Sequence, residues 1–588
     1  MTKASPRRKA SAWLPIAKLL LLALYLTFDY AAFAQRVASL GPSLELAAFA
    51  ILYTALVLAL VGAAFARPAP VRIVLAALLA AGSLMLHGYE WTTGAPLVYD
   101  AFETMVASRG DAGNAMAQHG ATLLRAGLAA LVLFAAIALP PGRLALPFGL
   151  GWIVPALAVA ALAGLLYLRG GEGARGLPAP FSPLAQGAIM AGLHALKKDR
   201  PRQAVAFAPA PARGDGDVVL VIDESISARY LDINHPAGVR SGLAQERSGV
   251  VTANFGVAAA VANCSSGSNL TLRFGGTRES YREAAEDMPS IWAYARRAGR
   301  RTVYLDAQRE DGALQNLMTP AEAREIDDFV QLGGTPVLER DRELARQLGE
   351  RLGNGVAEFI LVNKVGAHFP IADKFPLAAA SYRPLPPRGR SAGITDIAAL
   401  PGQGADTEEE WRRYRNAYRN TLTWSTGGFF DLLLPRVAGS GAVLLYTADH
   451  GQNLHEGGGP GGPTHCVPEP RGGEEGAVPL VVIAATGGGP GEGPSAATDW
   501  EAIAATNRDA MSHFRIFPTM LALLGYPPEQ TKAFYGPTLL APEKDPLTFT
   551  PNYNASLGRD PIWYRIDPAA LATPPTSDYR ARRLSVSD

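Results

Sequence analysis

Two patterns of apolar and polar positions divide the chain. Up to residue 168, apolar residues run almost unbroken through Trp13 to Ala34, Leu44 to Ala66, Val71 to Leu86, Thr122 to Leu139 and Pro147 to Leu168. Each run is about long enough to cross the roughly 30 Å hydrocarbon core of a bilayer as a helix. Residues 169–214 turn to Gly, Pro, Ala and Arg, the composition of a linker, with Pro183 to Leu196 apolar enough for a short helix on a membrane surface. From residue 215 to residue 588 the pattern is short β-branched runs alternating with amphipathic stretches. Val218 to Ile222, Thr302 to Leu305, Phe359 to Val362, Ala442 to Tyr446 and Val478 to Ile483 read as strands buried on both faces of a sheet. Ser290 to Ala298, Asp341 to Leu352, Glu408 to Thr423 and His513 to Leu524 read as the helices between them. The expected fold is therefore an N-terminal α-helical transmembrane domain of about five spans, then an α/β domain with a mostly parallel sheet flanked by helices.

Charge sets the orientation. Lys3, Arg7, Arg8 and Lys9 precede the first run, Arg67 and Arg72 fall between the second and third, and Arg143 between the fourth and fifth. The positive-inside rule places all of these on the cytoplasmic side. Five spans starting inside then deliver everything after Arg169 to the opposite face, the periplasmic side of a bacterial inner membrane. Lys18 and Asp29 sit toward the ends of the first run, where charged side chains are expected to snorkel to the interface.

The whole chain has 54 Lys+Arg against 53 Asp+Glu, so nothing in the bulk charge draws it to nucleic acid. It has two cysteines, Cys264 and Cys466, which allow one bridge and leave an exported domain of this length to be stabilised mainly by its core.

Polar clusters follow the predicted strands, where open α/β sheets bind ligands. Asp449-His450-Gly451 supplies a carboxylate and an imidazole from one turn, and Glu224 supplies a second carboxylate after another strand. Such oxygen and nitrogen donors suit zinc, with manganese or magnesium in a more open geometry. Cys264-Ser-Ser-Gly-Ser268-Asn269 precedes an apolar stretch, so Ser268 stands near a helix start, where a nucleophilic oxygen is favoured electrostatically. Taken alone, that segment reads equally well as an ordinary cap or turn.

Five segments occur in this order: Val218-Val-Leu-Val-Ile-Asp-Glu-Ser225, Cys264 to Asn269, Val365-Gly-Ala-His-Phe-Pro370, Tyr446-Thr-Ala-Asp-His-Gly-Gln452 and His513-Phe-Arg-Ile-Phe-Pro-Thr519. With the membrane runs before them, they resemble the membrane-anchored phosphoethanolamine transferases of the sulfatase-like branch of the alkaline phosphatase superfamily. The resemblance implies that Glu224, Asp449 and His450 hold zinc and that Ser268, or Ser266 one turn position away, is both zinc ligand and nucleophile. It implies that His368 and His465 contact substrate phosphate or hold a second metal, while His455 reads as a packing residue. It further implies a phospholipid donor, phosphatidylethanolamine, and an envelope glycolipid or glycan acceptor, as in lipopolysaccharide modification.

The chain departs from that family's pattern in having Asp-Glu-Ser in the first motif, serine as nucleophile, few cysteines, and Ala477 where many members carry histidine. If both cysteine segments line one site, Cys264 and Cys466 would tie the nucleophile segment to the histidine loop. A phosphoglycerol transferase, a periplasmic phosphodiesterase or sulfatase, and a catalytically silent membrane scaffold are the competing readings. The absence of a Cys-x-Pro-Ser-Arg context weighs against a formylglycine sulfatase.

Overall fold

The computed structural model describes residues 13–107, 112–196, 201–210, 216–388, 407–457, 464–467, 470, 472–486, 498–551, 557 and 560–571. The chain forms two compact units, residues 1–199 with 555–560, and residues 200–554 with 561–588.

The first unit is helical. Its helices are α1 (Trp13–Phe28), α2 (Tyr30–Leu40), α3 (Leu44–Ala64), α4 (Ala69–Thr93), α5 (Tyr99–Ala107), α6 (Ala112–Ala138), α7 (Phe148–Leu168) and α8 (Phe181–Leu196). Among the described residues four helices are long and apolar enough to span a membrane, and α1 with α2 makes a fifth if the pair, bent by 60°, is one span. The continuous first run read from the sequence is thus broken, and the break falls at Asp29.

Each charge in that segment finds partners among the helices. Asp29 Oδ1 lies 2.7 Å from His87 Nε2 on α4, and Oδ2 accepts the Ala179 N–H at 3.3 Å. His87 Nδ1 is 3.2 Å from Ser83 Oγ, which takes the Tyr25 hydroxyl at 2.9 Å. Lys18, fully buried, donates to the carbonyls of Ile137 and Leu139 at 3.0 and 2.7 Å, where α6 ends. The terminal carbonyls of a helix have no intrahelical donors and carry its negative pole, so the cation is satisfied there. Helix α8 packs on α4 and α7 and buries Phe181, Ala185 and Ile189 within this unit, which is more than the surface helix expected of it.

The second unit is a sheet with helices around it. Its strands are β1 (Val218–Asp223), β2 (Val250–Ala259), β3 (Arg301–Asp306), β4 (Asp328–Gln331), β5 (Glu358–Asn363), β6 (Val443–Ala448), β7 (Ala477–Ala485) and β8 (Met511–Ser512). Their order is β4-β3-β5-β1-β6-β7-β2-β8. The run β4 to β6 is parallel, β7 is antiparallel to both β6 and β2, and β8 is parallel to β2. All residues of β1, β5 and β6 are buried, so an unbroken apolar run is what these central positions require. The register pairs Asp223 at the end of β1 with Ala448 at the end of β6, and Ile222 with Asn363 at the end of β5. Three strands therefore finish on one edge, and Glu224, Lys364 and Asp449 are the residues that follow them.

Candidate metal centre and nucleophile

At that edge, ligand atoms of Glu224, Asp449 and His450 lie within 4.8 Å of one another, all three residues being buried. His450 Nε2 is 3.5 Å from Glu224 Oε1 and 3.7 Å from Asp449 Oδ2. His450 Nδ1 is 2.8 Å from the Gly451 carbonyl, which can only accept, so Nδ1 carries the ring proton of the neutral imidazole and Nε2 offers a lone pair. Asp449 Oδ1 accepts the N–H groups of Ser225 at 2.9 Å and His450 at 2.8 Å, whereas its buried Oδ2 has no hydrogen-bond donor among the described residues.

Two carboxylates at such a separation repel by roughly 3 kcal/mol even at an effective dielectric constant near 20. Burial, then the Asp449 charge, pushes the Glu224 carboxyl well above the ordinary carboxylate range. Two acids, an imidazole lone pair and an orphaned carboxylate oxygen converging in a buried place are the donor set a divalent cation needs, and zinc accepts all three ligand types. The residues fit the metal.

A serine completes the cluster. Helix α9 (Ser265–Phe274) has Cys264, in extended backbone, as its cap. Ser265, its first helical residue, places Oγ 3.3 and 3.4 Å from the two Glu224 oxygens and 3.3 Å from His450 Nε2. Ser268 does not reach the cluster: fully buried, its Oγ accepts from the Ala262 N–H and donates to the Ala262 carbonyl, both at 3.2 Å. The hydroxyl beside the acids is thus that of Ser265, not Ser268 or Ser266. The extended conformation of Cys264 makes Ser265 the first residue of the helix, and an apolar pattern does not mark a helix start to within three positions.

The histidines come from two loops. The His465 ring stacks on His450 with centroids 4.4 Å apart. Burial and its neighbours His450 and His368 hold His465 well below the ordinary histidine pKa, hence neutral. His368 Nδ1 is 2.8 Å from the Phe369 carbonyl. The His465 segment is tied to the serine helix by a Cys264–Cys466 disulfide, by the Cys466 N–H on the Asn263 carbonyl at 2.9 Å, and by Asn263 Nδ2 on the Val467 carbonyl at 3.0 Å. His455 stacks against Trp411 at 4.1 Å.

Behind Glu224 lies a buried ionic platform. Lys364 Nζ is 2.5 Å from Asp223 Oδ2 and 3.8 Å from Asp341 Oδ2. Thr426 and Tyr446 hydroxyls also donate to Asp223 Oδ2, at 3.0 and 3.1 Å. Asp341 accepts the N–H groups of Val365 and Gly366 at 2.8 and 3.0 Å, and the Ala367 N–H donates to the Glu224 carbonyl at 2.9 Å. Gly366 has φ +51, and a Cβ there would lie 2.4 Å from Asp223 Oδ1 and 2.6 Å from the Glu224 carbonyl oxygen, so only glycine lets the two loops meet. Ser225, with φ +62, is a non-glycine residue in left-handed backbone, over-determined by the Asp449 bond to its N–H, the Tyr418 hydroxyl on its carbonyl at 2.7 Å and its own Oγ on Glu224 Oε1 at 2.8 Å. Apolar runs could not expose these contacts, most of which join positions dozens to hundreds of residues apart.

No protein-family model matches the sequence, and no curated protein matches it. Among solved structures, the integral membrane lipooligosaccharide phosphoethanolamine transferase A of Neisseria meningitidis aligns at 17% identity and TM-score 0.59, over 89% of this chain and 97% of its own. The zinc complex of the C-terminal periplasmic domain of EcEptC from Escherichia coli aligns at 15% identity and TM-score 0.47, over 65% of this chain and 99% of its own. A 2-O GAG sulfatase aligns at 14% and TM-score 0.38, over 57% and 77%. The chain thus shares the fold of the full-length transferase at low sequence identity: apolar helices followed by an α/β domain with a mixed, mostly parallel sheet.

Proposed function

We propose that the chain is a multi-pass inner-membrane enzyme that moves a phosphoethanolamine group, in the periplasm, from phosphatidylethanolamine to an envelope glycolipid or glycan. The observation that carries this reading is the Ser265 hydroxyl, at a helix N-terminus, 3.3 Å from both Glu224 Oε1 and His450 Nε2, the latter 3.7 Å from the orphaned Asp449 Oδ2. The likeness of fold to the full-length lipooligosaccharide phosphoethanolamine transferase supports the choice of the group transferred and of an envelope acceptor.

Glu224, Asp449, His450 and Ser265 would hold zinc, which when bound lowers the pKa of a hydroxyl and polarises a phosphoryl oxygen. Ser265 Oγ loses its proton and bonds to phosphorus, while the bond from phosphorus to the glycerol oxygen breaks and diacylglycerol leaves with a proton. The N–H groups of the first turn of α9 favour the negative oxygens of the group held on Ser265. An acceptor hydroxyl then attacks that phosphorus, giving up its proton and restoring the serine. His465, stacked on His450, is placed to pass that proton on to the departing serine oxygen, and His368 to orient the phosphate.

The test incubates the detergent-purified full-length protein with fluorescent phosphatidylethanolamine and zinc, then reads diacylglycerol and the modified peptide by mass spectrometry. The expected result is a phosphoethanolamine adduct on Ser265 that disappears in Ser265→Ala and persists in Ser268→Ala. An adduct that survives Ser265→Ala refutes the nucleophile, and diacylglycerol released with free phosphoethanolamine in the presence of acceptor identifies a phosphodiesterase instead.

A further inference from the structure

Glu224 is held by a residue that none of the sequence motifs includes. Gln308 follows β3 and is 5% exposed. Its backbone N–H donates to Asp306 Oδ1 at 2.9 Å, an acid itself fixed by Gln315, Asn363 and Gln331 side-chain amides, each at 3.0 Å. Its side-chain Nε2 donates to the Lys364 carbonyl at 2.7 Å and to Glu224 Oε2 at 3.2 Å. Both partners only accept, which settles the orientation of the amide.

The consequence is a division of labour between the two Glu224 oxygens. Oε1 lies 3.5 Å from His450 Nε2, takes the Ser225 hydroxyl at 2.8 Å and is the closer of the two to Ser265. Oε2 is drawn the other way by Gln308, whose own position is set by the ends of β3 and β5. We propose that Gln308 is a positioning residue that turns Glu224 so that Oε1 alone ligates the metal. This rests on the metal reading given above. Ligation through one oxygen suits the low coordination number of zinc, whereas a carboxylate free to turn both oxygens inward suits the six to eight oxygens that calcium takes.

The experiment titrates zinc, and calcium in parallel, into metal-stripped full-length protein in detergent by calorimetry, for wild type, Gln308→Met and the control Glu224→Gln. Gln308→Met keeps the volume and removes the donor. It should weaken zinc binding about 10- to 100-fold, the usual effect of losing a partner of a metal ligand, and narrow the preference for zinc over calcium, with the apo melting temperature within a few degrees of wild type. If that variant fails to fold, Gln308→Asn, polar but one methylene short of Oε2, carries the same expectation. Zinc affinity within twofold of wild type in the folded variant overturns the inference. No zinc binding by wild type, or none lost in Glu224→Gln, overturns the metal reading itself and is recognised separately.

Discussion

Side chains three positions apart in α9 have opposite fates, and this sets the residue-scale expectations. Ser265 faces two acids and an imidazole, while Ser268 spends both its donor and acceptor capacity on Ala262. Ser268→Ala should cost about 1 kcal/mol of stability, the usual net worth of such a bond, and retain turnover, whereas Ser265→Ala should stop turnover with little change in melting temperature. His513 gives a pH expectation. Its Nε2 is 3.0 Å from Thr447 Oγ1, and burial lowers its pKa from 6.5 to about 4. In the unfolded chain it takes a proton near pH 6.5, so between there and pH 4 the unfolded state binds more protons and stability falls as pH falls. Thermal unfolding followed from pH 7 to pH 4 should show this loss, up to roughly 3 kcal/mol, diminished in His513→Gln. The sequence exposed the acids and histidines by their place after apolar runs. It pointed to Ser268, with Ser266 as the alternative, and missed Ser265, since the difference lies in where a helix begins.

At the scale of elements, the central strands were legible and the margins were not. β1, β5 and β6 are buried throughout, and such strands show as unbroken apolar runs. β2, with Asn254 and Gly256 inside it and an irregular register against β7 between Asn254 and Val257, shows neither an unbroken run nor a clean alternation and escapes that reading. Of the Gly/Pro-rich stretches in the sequence, 487–495, most of 386–408 and the tail beyond 571 lie outside the described residues, whereas 457–476 does so only at 458–463, 468–469 and 471. The loops after β1 and β5 meet through Gly366 and Lys364. Gly366→Ala should therefore push the loops apart and reduce zinc uptake at least tenfold, measured on purified protein by metal analysis. Lys364→Met should be worse for the fold, destabilising by about 3–5 kcal/mol, because it leaves Asp223 and Asp341 buried without their cation. Denaturant unfolding would measure it, and a loss below 1 kcal/mol would contradict the role given to this pair.

For the molecule as a whole, the single disulfide joins positions 202 residues apart, so its removal releases a large loop in the unfolded state. Chain-entropy arguments put that near 5 kcal/mol. Cys264→Ser with Cys466→Ser should lower the melting temperature, and reductant should reproduce the shift in wild type and leave the double variant unchanged. The helical unit shows where sequence patterning ends. Hydropathy gave the rough limits of the four or five apolar helices, but the break at Asp29, whose carboxylate meets a histidine 58 positions away, is something a window of apolar residues does not see.

The strand order has a consequence for biosynthesis. β1 is completed first, yet its neighbours in the sheet are β5 and β6, and the second acid and the imidazole follow β6. A nascent chain made from its N-terminus carries Glu224 for 225 residues and Ser265 for 184 before Asp449 arrives to meet them. Every fragment ending before β6 lacks Asp449 and His450, two of the three residues that could hold the metal, and such distant pairings are slow to form. On the function proposed above, metal uptake is a late event that registers completion of the sheet, and chains stalled or cleaved before that point would carry no zinc.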